Sequence, residues 1–590
     1  MRQYEEEGEY KVNTSVFFPD DDVWTIPSRH RIITGRKVKP KRTPWQRFKN
    51  SFRPMIVDPV DPNLNDIQKS NLRAAKAPLR RNLKNRHLQM IAIGGAVGTG
   101  LFVGSGVALS QGGPAALLIA WTLTGSMLYC TVQALGELAV TFPVSGSFVQ
   151  YNTRFISPAW GFCMAWNYAI QWLVVMPLEL VAASLSIKFW NSTVSSAAWV
   201  SIFFVIIAAI NMCGVRGYGE AEFVFSSLKV LAVIGFIILG VVLDCGGGPV
   251  KGYIGGKYWH DPGAFAAGFK GVCSVFVTAA FSFGGTELCG LAAAEAENPR
   301  KSIPSATKQV FWRITLFYVI SLLLVGLLVP YTDPALLDGT SSVDAKASPF
   351  VIAIKIHGIS GLPSVMNAVI MIAVLSVGNS SVFGSSRSLA SLAEMGMAPK
   401  FFGYIDRMGR PLVGIGISLA FGLLCYLAAT PQEGQVFTWL LALSGLSGVF
   451  TWGSVCACHI RFRQVLKSKG RGIDELPFTS QVGVIGSWWG LIMNIIILIA
   501  QFWIALFPLG GSPNAEDFFE AYLTVPVLIV CYFGYIIWKR DFTLFVRNRD
   551  CDIDTGRRDM DLERVKMEIV QERAYIASKP IYYRIYRFWC

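Results

Sequence analysis

Charge is scarce in this chain. Asp, Glu, Lys and Arg together make up 16% of the 590 residues, where a soluble domain carries about 25%. Histidine is rarer still, with five residues in all. No P-loop, no cluster of metal ligands and no G-x-S-x-G elbow on a strand–helix turn occurs, so the constellations that enzymes need are missing. The 12 cysteines show no metal-ligand spacing, and the tightest pair, Cys456 and Cys458, is separated by one Ala. Most lie in apolar runs, where Cys packs as a small residue, so neither a metal, a cofactor nor a disulfide framework is expected. The opening residues MRQYEEEGEY contain no apolar stretch, which leaves the first membrane span to direct insertion.

Long apolar runs fill the rest. The chain is 52% hydrophobic with a mean hydropathy of +0.44, and a bilayer crossing takes roughly 20 apolar residues. Runs of that kind fall at approximately 88–108, 115–141, 159–187, 198–215, 219–243, 272–294, 308–330, 363–392, 412–430, 436–459, 486–508 and 521–538. The expectation is an all-α polytopic membrane protein of about twelve transmembrane helices.

The net charge of +14 is concentrated at the ends. Residues 1–86 hold 19 Lys and Arg against 10 Asp and Glu, and residues 539–590 hold 12 against 9. Basic tails beside membrane spans mark a cytoplasmic side rather than a nucleic-acid arm. The loops agree: Arg154, Arg216, Arg300, Lys301, Arg387, Lys400, Arg407, Arg410, Arg461 and Arg463 alternate with glycine-rich or acidic loops such as PQEGQ and SPNAEDFFE. Three parts are expected: a largely disordered cytoplasmic tail over 1–86, a membrane body over 87–538, and a second cytoplasmic tail over 539–590. The first tail's lysines suit regulatory modification, with ubiquitin and the trafficking machinery as partners, or they only solvate the chain. Asn191-Ser192-Thr193 is a glycosylation sequon close to the membrane. The terminal Phe588-Trp589-Cys590 suits palmitoylation of Cys590 at an interface, or is an unmodified end.

Two spans break their own pattern. The sixth runs FSFGGTELCG, placing Gly284-Gly285 and Glu287 within an apolar helix. The first runs MIAIGGAVGTGLFVGSG. Its glycines serve either close helix packing or a mid-membrane unwinding at Gly98-Thr99-Gly100. Freed backbone and a buried acid are costly in hydrocarbon and are tolerated where they line a cavity. Two interrupted helices, each leading a block of five, point to an inverted-repeat transporter. The half-helix amides of one break suit a carboxylate and the carbonyls of the other an ammonium, so a zwitterionic amino acid satisfies both. Lys229 lies mid-span in FVFSSLKVLAVIGF, with too many apolar residues on each side to snorkel. Such a lysine is able to load and release a proton.

Together GGAVGTGLFVGSG, VMPLELVAASLSIKFW, GYGEAEFVFSSLKVLAVIGFIILG, AAFSFGGTELCGLAAAEAENPRKSIP, LSVGNSSVFGSSRSLASLAE, GGPVKGYIGGKYWHDPGAF, HIRFRQVLKSKGRGIDELPF and CDIDTGRRDMDLERVKMEI cover most of the body. In these segments the chain resembles the amino acid–polyamine–organocation superfamily, and within it the fungal amino-acid permeases of the general type. The resemblance implies a five-plus-five inverted repeat, broken at helices 1 and 6, with two additional helices. It places Thr99 and Gly100 at a substrate carboxylate, with Gly98 in the turn. It sets the carbonyls of Phe281, Ser282 and Gly284 at the α-amino group, with the Phe281 ring as a lid. By matched position Gln171, Ser376, Val377 and Ser444 flank the substrate side chain. Lys229 stands where sodium-coupled relatives hold Na⁺, implying proton coupling, and Asn379, Ser380 and Ser381 form the wall opposite. Glu287 matches a gating carboxylate. Glu179 faces the pocket or relays a proton, unless it is a protonated acid bonded between helices. Glu295 and Glu297 are expected to pair with Arg300 or Lys301. The function implied is proton-coupled import of L-amino acids across the plasma membrane, with both termini cytoplasmic. An amino-acid-sensing receptor on the same fold is the alternative.

Overall fold

Each of the twelve apolar segments is helical in the computed structural model, which describes residues 43–55, 61, 63–64, 66–190, 193–337, 348–429, 433–557 and 562–589. Helix is the economical answer to hydrocarbon, since every backbone group finds its partner within the segment. Among the described residues β-pairing is confined to two isolated bridges, Pro54 with Asp406 and Leu83 with Ala296. Seven helices are long and apolar enough to cross a membrane unaided, or eight when the bent pair Ala515–Tyr522 and Thr524–Lys539 counts as one. Three of the other spans fall short for local reasons. The first is broken after Asn85–Gly94, the fourth is the short Ser196–Met212, and the ninth tightens after Leu412–Gly422 into a 3₁₀ stretch. The first and second spans run into each other through Ser105–Thr141, turning at Gly113 and Pro114.

The third span, Pro158–Ile187, is the most enclosed, with 94% of its apolar window buried. It packs along the eighth, Leu362–Glu394, and these two form the spine against which the broken spans lie. The fifth, Gly214–Asp244, lies at the edge and faces both ways. Its buried residues Tyr218, Glu222, Ser226, Lys229, Val233, Phe236, Gly240 and Leu243 recur every three or four positions, which is one helical face. Beyond Arg216 near its start, its exposed residues are apolar, among them Val224, Leu231 and Ile238. Polar groups point inward and hydrocarbon outward, as a lipid-facing helix beside a polar interior requires.

The tail preceding residue 86 departs from the expectation of disorder in its described part, where Pro44–Ser51 and Asp66–Ala75 are helical. The reason lies far away in sequence. Asn71 is buried and donates to the Asp552 carboxylate at 2.9 Å, while its own carbonyl accepts from Gln150 at 3.0 Å and from Arg154 Nε at 3.3 Å. Arg154 also donates to the Thr555 carbonyl at 3.0 Å. Both tails are thus clasped to the loop after the second span. The C-terminal segment adds the buried Val546, Cys551 and Ile553 against Phe142, Phe155 and Phe462. The helix expected in DLERVKMEIVQER is present as Leu562–Ala577. Cys590 and the sequon residues Asn191 and Ser192 lie outside the described residues.

Burial alone would raise the Asp552 carboxyl, but Arg154 and the amides of Thr555 and Asp554 outweigh it and hold it below the usual carboxylate range. A carboxylate lowered on folding stabilises the clasp above its unfolded pKa, and that contribution is lost as pH falls through the folded value. Asp552→Asn is therefore expected to free the C-terminal segment, seen as faster limited proteolysis in this segment at neutral pH. Wild type should become equally susceptible only in acid. Equal cleavage of the two proteins at neutral pH would contradict the clasp.

Candidate functional site

Two glycine-rich interruptions meet in the middle of the body. The first-span helix Asn85–Gly94 gives out at Gly95 and resumes through a wide π-helical turn at Gly100–Gly104. The sixth-span helix Phe276–Phe283 stops at Gly284, and Gly285 takes a φ of +94° before the short helix Leu288–Leu291. The contact between them is backbone on backbone. A Cβ on Gly285 would fall on the Gly95 carbonyl, and one on Gly100 would fall on the Cα of Ser282. Residues without a side chain are required at both crossings, on space at Gly100 and on space and conformation at Gly285. Tyr318, from the π-helical stretch Ile314–Ile320, closes the junction. Its hydroxyl lies 3.1 Å from the Ala96 carbonyl and 2.9 Å from that of Ser282, one freed carbonyl from each break.

A small cavity opens beside this crossing. Gly98, Thr99, Gly100, Gln171, Glu179, Phe281, Gly284, Val377 and Ser444 are among the residues that line it, and Trp172, Gly445, Gly448 and Trp452 also belong to the wall. Its free space is about 30 Å³, room for roughly two waters at 10–15 Å³ each. As it stands this space is too tight for an amino acid. The Thr99 hydroxyl donates to Glu179 at 2.5 Å, so the deep acid of the third span is tied to the first-span turn.

Three expected residues sit elsewhere. Ser376 is one position from Val377 on the eighth span, and one residue turns a helix side chain by about 100°. Val377 therefore meets the cavity, while Ser376 faces the fifth span and donates to Glu222 at 2.7 Å. Ser282 also misses the cavity lining, with its hydroxyl on the Ala279 carbonyl and its own carbonyl on Tyr318. Ser381 donates back to Gly378 within its own helix, while Asn379 donates to Glu222 and Ser380 bonds Tyr218 on the fifth span.

Charge is placed at both breaks. Lys229 is fully buried and donates to the Gly94 carbonyl at 2.6 Å, at the C-terminal end of a helix where a cation is favoured. Among the described residues it forms no ion pair. Glu287 lies behind the cavity. It accepts from the Gly285 amide at 3.2 Å, from Trp452 Nε1 at 3.1 Å and from the Tyr168 hydroxyl at 3.3 Å, fastening the sixth-span turn to the third and tenth spans. Towards the tails Glu295 pairs with Arg387 at 2.7 Å, not with Arg300 or Lys301. The 3₁₀ turn Ala292–Glu295 aims it at the eighth span, where the guanidinium lies 3.9 Å over Phe383, and Arg300 pairs instead with Glu568.

Two residues escaped the sequence argument. Tyr318 looks like any aromatic in an apolar helix, and nothing in its neighbourhood marks it. Glu222 had a signal: with Ser226 and Lys229 it forms an i, i+4, i+7 polar set, one face of the fifth helix.

The model of the amino acid permease family matches residues 87–548. The chain is 64% identical over 554 residues to general amino-acid permease GAP2 of Candida albicans, covering 93% of this chain and 94% of that protein. It is 61% identical over 576 residues to general amino-acid permease GAP1 of Saccharomyces cerevisiae, with 96% and 95% covered. To amino-acid permease GAP5 of Candida albicans it is 55% identical over 568 residues, with 92% and 91% covered.

Gly285→Ala and Gly100→Ala should each abolish amino-acid uptake or cut it roughly tenfold or more, since their Cβ atoms would stand 2.2 and 2.4 Å from backbone of the other break and Gly285 adds backbone strain of about 1–3 kcal/mol. Gly235→Ala, where a Cβ meets nothing within 4 Å, is the control and should transport as wild type. Normal uptake by both crossing variants, at equal amounts of protein in the membrane, would refute the backbone junction.

Proposed function

The chain belongs to the amino acid permease family, and on that premise we propose that it is a proton-coupled symporter importing L-amino acids of broad range across the plasma membrane by alternating access. The observation that carries this reading is the crossing of two broken helices beside Lys229, with freed amides and carbonyls facing one small cavity.

The substrate carboxylate docks on Thr99 and Gly100 in the first-span turn, where unpaired amides offer donors. The α-ammonium docks on the carbonyl of Gly284 and on the second lone pair of the Phe281 carbonyl, which already accepts from the Gly284 amide at 3.0 Å; the Ser282 carbonyl faces Tyr318 instead of the cavity. Opening by roughly an amino acid's width requires the Phe281 ring and the Trp452 side of the wall to withdraw. The side-chain end is bounded by Gln171, Val377, Ser444, Gly445 and Gly448, small or neutral residues that admit many shapes. Among the described residues the only acid in the lining is Glu179, and it is engaged by Thr99. That arrangement does not favour cationic over neutral side chains.

Coupling follows from the Gly94 contact. A protonated Lys229 pins the first-span break through the Gly94 carbonyl, and a neutral amine loses the charge-assisted part of that bond. Proton loading therefore fixes the turn that binds the carboxylate, and proton loss frees it. The distribution of basic loops supports cytoplasmic termini, so the tails clasped at Arg154 face the cell interior, where ubiquitin and trafficking proteins act.

The test is uptake into vesicles under imposed gradients. One proton moved through 100 mV supplies about 2.3 kcal/mol, which sustains roughly fiftyfold accumulation. Accumulation should vanish with a protonophore and be indifferent to sodium, and most neutral amino acids should compete. Lys229→Met should bind substrate but fail to concentrate it. Concentrative uptake that needs sodium, or survives loss of the proton gradient, would contradict the coupling. Binding by wild type without any accumulation would favour the receptor.

A further inference from the structure

The buried acids of the body are matched to partners in different ways. Glu137 lies with His459 and Arg463, Glu295 with Arg387, and Asp406 with Arg410. Among the described residues Glu222, like Glu179 and Glu287, has no such cation in contact. It is fully buried, and its side-chain donors are the neutral Ser376 at 2.7 Å and Asn379 at 2.8 Å, the latter steadied by Asn211 at 2.9 Å. A carboxylate held only by neutral groups in a membrane interior needs a charge nearby to offset it.

That charge is Lys229. Seven residues bring a helix back to the same face about 10 Å along its axis. Helical side chains lean towards the N-terminus, so the lysine reaches back towards Glu222. The two meet at one residue of the first span. The Gly94 carbonyl takes the ammonium at 2.6 Å, and a Cβ on Gly94 would stand 2.5 Å from Glu222 Oε2 and on the Ser226 hydroxyl. Gly94, the last helical residue before the break, is therefore held between a cation and an anion.

We propose that Glu222 is the proton acceptor for Lys229. When the first span moves and the Gly94 carbonyl leaves, an N–H bond of Lys229 breaks and an O–H bond forms on Glu222. Ammonium and carboxylate become amine and acid, and the pair is neutral before and after. Transfer within the pair moves the proton towards the tails without leaving a net charge, and the carboxylate is uncovered only at the last step, when Glu222 releases it. Glu222 then loses its proton towards the tails, to which it lies two turns nearer than Lys229. The groups facing it on that route are Tyr218, bonded to Ser380, then the Arg387–Glu295 pair and His87, which packs at Gly219 and touches Glu220. Glu179 faces Lys229 from the third span and is held by Thr99.

This inference rests on the proton coupling proposed above, and the experiment separates the two. Purified protein in proteoliposomes is assayed for amino-acid exchange, which needs no proton release, and for accumulation driven by an acid-outside gradient. Glu222→Gln keeps an acceptor oxygen for Asn379. It should exchange within about twofold of wild type, accumulate roughly tenfold less or worse, and show no dependence on outside pH. Glu222→Asp should keep pH-dependent accumulation with its half-maximal pH displaced. Accumulation by the Gln variant equal to a gradient-dependent wild type overturns the role of Glu222 and leaves the coupling standing. Wild-type accumulation that ignores the gradient removes the coupling and this role together. If the Gln variant is not produced, the Asp variant decides: an unmoved pH profile at unchanged exchange overturns the proposal.

Discussion

Backbone that has left its helix cannot face hydrocarbon, and in this protein the two places where it does so cover each other. Gly95 and Gly285 meet at one crossing, Gly100 and Ser282 at the other, and the Tyr318 hydroxyl bridges a freed carbonyl from each. Each unsatisfied polar group in such a setting costs about 1–3 kcal/mol or more. Neither break is affordable alone. The rest of the body can be understood as what it takes to hold this crossing in place while leaving a few of its amides and carbonyls unspent for a ligand.

Charge completes the arrangement, and its signs follow the local dipoles. Lys229 sits at the carbonyl end of the first-span helix, and Glu287 sits on the amide of the sixth-span turn. Each ionisable group neutralises the partial charge that the interrupted backbone exposes. The third and eighth spans supply the frame, the first through Tyr168 and Glu179, the second through Val377 on the cavity side and Ser376 and Asn379 on the fifth-span side. On the proposed reading a movement of the first span reaches substrate and proton alike, because Gly94, Thr99 and Gly100 lie within seven residues of one another. Coupling of that kind needs no long-range pathway.

Much of this is legible in the residues because the membrane makes exceptions expensive. Twelve apolar runs, paired glycines within two of them and one lysine deep in a third stand out against a background with little charge. What was not legible depends on rotation and on distance along the chain. Ser376 and Val377 are neighbours, and only the packing of the eighth helix decides which one meets the cavity. Glu222 belongs to the run GYGEAEF, where a second acid two residues earlier, Glu220, is half-buried and pairs with Arg86 at the surface, so the two acids resemble an ordinary helix end. The order of the N-terminal tail depends on Asn71 finding Asp552, 481 residues away. Glu295 could be paired with near cations on paper, and only the turn that carries it selects Arg387.

The most direct test is a structure determined with an L-amino acid bound and the cavity open. Density for its carboxylate at the amides of Thr99 and Gly100, with its ammonium at the carbonyls of Phe281 and Gly284, is the predicted result. An amino acid found away from the crossing, or held through Glu287 instead of the unwound backbone, would contradict the account.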